Sequence, residues 1–191
     1  MVVIAIVAVI LGLGTLLAVT CHMRADHGPL VDALRRAGRA LGGTVTRAPD
    51  GTFQLDALVA GQTVHLGYQL VFSCGYKPEI FAEVSVNDHA SQLDVHPRDA
   101  HPQAEQAHEL DDTPSGDDLF DDAYHVRSAP RHPGRQVLPP EAQRLMLETG
   151  PISIRVANGH LRVRRADASM IDAPTILNIA RIAGLSARAY V

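Results

Sequence analysis

Residues 152–165 read ISIRVANGHLRVRR, two short strand-like runs joined by Asn158-Gly159. Both turn residues tolerate positive φ, so Asn-Gly between such runs predicts a tight antiparallel hairpin. Working outward toward the N-terminus, residues 44–47 and 52–58 flank the turn Pro49-Asp50-Gly51 and predict a second hairpin. Ala60-Gly61-Gln62 turns the chain into residues 63–70, where Val64, Leu66, Tyr68 and Leu70 alternate with polar or small residues. Residues 80–86 alternate again, so the region predicts one antiparallel meander, half buried.

Helical signals surround these strands. In residues 29–41, Leu30, Leu34, Ala37 and Leu41 share one face and Arg35, Arg36 and Arg39 the other, and Gly42-Gly43 stops the run. Pro139-Pro140-Glu141 opens a helix within residues 138–149. Asp172 caps another over about 173–189, with Ile176, Ala180, Ala183 and Ala187 as its buried stripe. The expectation is an α+β fold: one small domain with an antiparallel sheet and two to three helices. Residues 89–115 lose periodicity and carry His96, His101, His108, Pro97, Pro102 and Pro114. Such a stretch buries too little apolar surface to offset its ordering entropy, which predicts a flexible loop.

Residues 2–20, VVIAIVAVILGLGTLLAVT, contain no charge. As a helix they would extend about 30 Å, the thickness of a bilayer's hydrocarbon core. The run is long for a signal peptide and lacks a basic start, so it reads as an uncleaved transmembrane anchor over residues 1–21 that contacts the lipid bilayer through 2–20. Arg24, Arg35, Arg36 and Arg39 follow the run, which places the N-terminus outside and the domain in the cytoplasm. Residues 22–43 then form a juxtamembrane amphipathic helix, its Arg35, Arg36 and Arg39 within reach of anionic lipid, and residues 44–191 form the domain.

Charge is unevenly distributed. Residues 99–122 hold nine acids and no Lys or Arg, whereas residues 127–165 hold eight Arg against Glu141 and Glu148. An acidic block beside the basic one, at net charge −4, argues against nucleic acid as a partner. Two cysteines, Cys21 and Cys74, are too few for a disulfide framework.

No motif specifies a reaction. The acids Asp111, Asp112, Asp117, Asp118, Asp121 and Asp122 lack the alternation and central Gly of a calcium loop and read as a solvated turn. His96, His101 and His108 are spaced by five and seven residues, not the four that aligns ligands on a helix. With Asp117 and Asp121 they are the residues a metal would use, though no cofactor is implied. Cys74 in Ser73-Cys74-Gly75 has no His that the sequence places beside it, and no phosphate-binding glycine loop occurs outside the apolar run.

Gly116-Asp117, Phe120-Asp121 and Val126, followed by Leu138-Pro139-Pro140-Glu141 and the closing hairpin, carry one resemblance. The order is similar to that in bacterial membrane proteins of the domain-of-unknown-function 3137 group, where a "GDxxFDxxFxV" strand precedes an "LTPE" helix. Tyr124 stands where the second aromatic recurs, and Pro139 where Thr would stand. The resemblance implies that Phe120 and Tyr124 are core anchors, Asp117 a turn or cap residue, and Pro140 a first-turn helix residue. It implies a bacterial inner-membrane setting and transfers no activity. The functional expectation is a non-catalytic interaction or scaffolding module at the cytoplasmic face of that membrane. The alternative is a membrane-tethered enzyme or metal binder using residues 89–125.

Overall fold

Asn158 and Gly159 adopt φ of 54° and 77°, the positive pair a two-residue hairpin turn requires. They join β8 (Ser153–Ala157) to β9 (His160–Arg165), in the register Ser153↔Arg164 to Ala157↔His160. Ala60 and Gly61 repeat the device, at φ 52° and 82°, between β2 (Phe53–Val59) and β3 (Gln62–Ser73). The computed structural model describes residues 28–49, 52–73, 75–100, 110–129, 138–166 and 171–190. The remaining strands are β1 (Thr44–Arg47), β4 (Gly75–Ser85), β5 (Gln92–Pro97), β6 (Asp111–Asp112) and β7 (Tyr124–Ala129). All nine form one antiparallel sheet in the order β1-β2-β3-β4-β9-β8-β5-β7-β6.

Register makes the sheet one-sided. Val45, Leu55, Leu66, Ala82, Val163, Ile154, Val95 and Val126 face one another in a single line across eight strands. All but Val45 are buried. A second line, Val84, Leu161, Val156, Leu93 and Ser128, lies two residues along and is buried too. Because strand side chains alternate between faces, these lines belong to one side of the sheet.

That side carries the helices. They are α1 (Gly28–Leu41), α2 (Asp118–Ala123), α3 (Pro140–Thr149) and α4 (Ala173–Ala187), the last continued by a 3-10 turn over Arg188–Tyr190. Helix α4 is the keystone: it packs on β2, β3, β4 and β9 and also on α1 and α3. Its Ile176, Ile179, Ala180, Ile182 and Ala183 are completely buried. Gly184 lets the helix approach closely, since a Cβ there would lie 2.6 Å from the Val59 carbonyl oxygen. Asp172 caps α4 by accepting from the Thr175 amide (2.9 Å) and hydroxyl (2.6 Å), bonds that hold its carboxyl below the usual range.

Several expectations are corrected. The predicted fold, a transmembrane helix followed by a small domain with two to three helices, is corrected: the described residues form a nine-stranded sheet with four α-helices. Among the described residues no helix is long and apolar enough to cross a membrane. The longest has 15 residues, about 22 Å of rise against a hydrocarbon core of about 30 Å. The single-pass inner-membrane placement is corrected on the same finding; residues 2–20, on which it rested, lie outside the described residues.

Within the predicted loop 89–115, residues 92–97 form β5, an interior strand between β8 and β7. Only Leu93 and Val95 point into the core, too short an alternation to be recognised beside His96 and Pro97. The "GDxxFD" segment is helical rather than extended: Asp117 caps α2 by accepting from the Phe120 amide (3.1 Å). Phe120 and Tyr124 are buried and stack at 4.7 Å.

Candidate functional site: the open face of the sheet

One residue out of step with the apolar line, the same registers align another. Thr44, Asp56, His65, Glu83, Arg162, Arg155, Asp94, Arg127 and Asp112 face one another in sequence across all nine strands. Every member is exposed or half-buried. The sheet thus presents a polar row on the side away from its helices, with acid and base alternating except at its centre.

Several neighbours in the row pair. His65 Nδ1 lies 2.7 Å from Asp56 Oδ1, and Arg162 Nε lies 3.4 Å from Glu83 Oε1. At the far edge His125 Nε2 lies 2.8 Å from Asp112 Oδ1, with Arg127 Nε at 3.7 Å. The His125 hydrogen bond holds the Asp112 carboxyl below its ordinary range, and the Arg127 and Arg98 charges add to it. In the middle, β8 and β9 set Arg155 directly against Arg162, a like-charge pair that opposes strand pairing.

Arg162 is held by a local framework. Its guanidinium sits 4.5 Å over the Phe81 ring, and its Nη2 donates to Gln69 Oε1 at 3.0 Å. Gln69 Nε2 in turn donates to Glu79 Oε1 at 2.9 Å. The Phe81 ring can lie there because its cross-strand partner is Gly67, where a Cβ would meet Phe81 Cζ at 2.7 Å. The buried Arg162 Nε makes no hydrogen bond, although it is within ion-pair distance of Glu83. Charge and ring face fix this side chain more than hydrogen bonding does.

Of the residues singled out for metal, the three among the described residues are engaged separately. His96 Nδ1 lies 3.3 Å from Asp94 Oδ2, and its ring stacks on His125 at 5.3 Å. Asp117 is engaged as the α2 cap. Asp121 accepts from the Ser115 amide (2.9 Å) and the Gly116 amide (3.4 Å). His101 and His108 lie outside the described residues, as does Cys74. Among the described residues no group of three or more His, Cys, Asp and Glu is placed to hold a metal ion. Of the arginines assigned to anionic lipid, Arg35 pairs with Asp32 (3.4 Å) and leans over Phe53, while Arg36 and Arg39 are exposed on α1.

The row is what sequence reasoning missed. Its local signal is the polar alternation at Asp56, His65, Glu83, Asp94, Arg155 and Arg162, but their alignment depends on registers between distant strands. No protein-family model, curated protein or solved structure matches this chain.

Proposed function

We propose that this chain is a non-catalytic interaction module whose recognition surface is the open sheet face, bound by a protein partner. The observation that carries the reading is the nine-residue polar row, ordered by register on a face opposite the helices. A flat array of fixed charges suits recognition: it sets partner register and excludes mismatched surfaces. Chemistry would instead call for a nucleophile beside a base, or converging ligands. The described part of the row offers ion pairs between side chains that are already satisfied or solvated.

The test is position-dependent photo-crosslinking in cells. A photoreactive residue replaces Gln92, exposed on β5 of the open face, or Arg181, exposed on α4. Discrete adducts from position 92 and none from 181 are expected. Adducts from 181 alone, or from neither, would overturn the reading.

A further inference from the structure

We infer that the centre of the open face reads an acidic peptide segment of the partner, through Arg155, Arg162 and Arg164; this rests on the open face being the recognition surface. Arg155 and Arg162 face each other in register across β8 and β9, where like charges oppose strand pairing, and a bound carboxylate between them would reverse the sign. Arg164 follows Arg162 by two residues on the same face, opposite Ser153, and enters no ion pair among the described residues. The three guanidinium groups therefore share a ribbon formed by β8 and β9.

Acids bound that ribbon. Glu83 on β4 faces Arg162 from one side, and Asp94 on β5 faces Arg155 from the other. Three inter-strand spacings separate β4 from β5, about 14 Å. A long polyanion lying across the strands would meet Asp94 or Glu83, and then Asp112 or the buried Glu79, so nucleic acid is disfavoured. An extended peptide running along β8 and β9 stays within the ribbon. Its alternate side chains repeat every two residues, about 6.6 Å, the same repeat as Arg162 and Arg164. The favoured segment thus carries acids at alternate positions, Glu-x-Glu, with flanking residues small and uncharged.

The experiment titrates the full-length protein with the end-blocked peptide Ser-Glu-Ser-Glu-Ser and follows amide and arginine side-chain shifts by NMR. Binding is expected, with shifts confined to residues 153–157 and 160–165. Arg155→Gln/Arg164→Gln should weaken it at least ten-fold. The isomer Ser-Glu-Glu-Ser-Ser, of equal charge, should bind at least three-fold more weakly. No binding, shifts elsewhere, unchanged affinity in the double variant, or tighter binding of an oligothymidylate than of the peptide would each overturn the inference. Should the double variant fail to fold, the wild-type shift map and the isomer comparison still decide. Crosslinks from position 92 without peptide binding would remove the acidic-segment reading and leave the recognition surface standing.

Discussion

Two rows of the same sheet, one residue apart in register, have opposite characters. The line through Leu55, Leu66, Ala82, Val163, Ile154 and Val95 is buried beneath helices, whereas the line through Asp56, His65, Glu83, Arg162, Arg155 and Asp94 faces outward. Backbone hydrogen bonding is common to both, so the difference lies wholly in side chains. Burying a Leu, Ile or Val contributes about 1.5–3 kcal/mol. Exposed ion pairs contribute about 0–1 kcal/mol. The covered row therefore holds the fold, and the open row is free to serve another purpose.

Breaking the comparison on its strong side should produce the largest effect. Ile154→Ala, in the covered row, should cost about 2–5 kcal/mol in urea denaturation. Its neighbour Arg155→Ala, in the open row, should change stability by about 0.5 kcal/mol or less, because the lost contacts are offset by relief of Arg162. Equal losses at the two positions would erase the distinction. Gly184→Ala tests the same covered side through backbone contact; pushing α4 off the Val59 carbonyl should cost about 1–3 kcal/mol.

The open row can be sharpened by pH. The Asp112 carboxyl has a folded pKa below its unfolded value, so its contribution is present above the unfolded pKa and fades as pH falls through the folded one. Asp112→Asn should lower the urea midpoint at pH 7 slightly and reduce the drop seen on acidification below pH 4. An identical acid profile in the variant would show that the His125 contact contributes nothing. On the covered side the sign differs. Burial raises the Tyr124 pKa, and its hydroxyl donates to the Gly150 carbonyl at 2.8 Å. Stability there is intact below the unfolded value near 10 and falls as pH rises beyond it, and Tyr124→Phe should flatten that fall.

The smallest expected effect is in a turn. Ala60 occupies the left-handed region that Asn158 fills at the equivalent turn. Ala60→Asn should raise stability by about 0.5–1 kcal/mol in the same assay.

These contrasts also explain what the sequence could disclose. The hairpins at residues 60–61 and 158–159 and the Asp172 cap are local, each set by a few adjacent residues, and were legible. Strand β5 was not, because its two core residues gain their meaning only from β8 and β7 on either side. Helix α2 was read only as a solvated acidic turn, because its six residues are too few to show a helical period and Phe120 alone is buried. The open row was the least legible feature. It needs eight correct registers at once, and its members look individually like ordinary surface residues.

The most direct test removes charge from the open face without changing net charge. In Asp56→Asn/Asp94→Asn/Arg155→Gln/Arg164→Gln, two acids and two bases are neutralised on the open face. Denaturation of this variant should give an unfolding free energy within about 1–2 kcal/mol of the wild type, since the charges removed are exposed or half-buried. A loss comparable to that of Ile154→Ala would contradict the account, making the polar row part of what holds the sheet together.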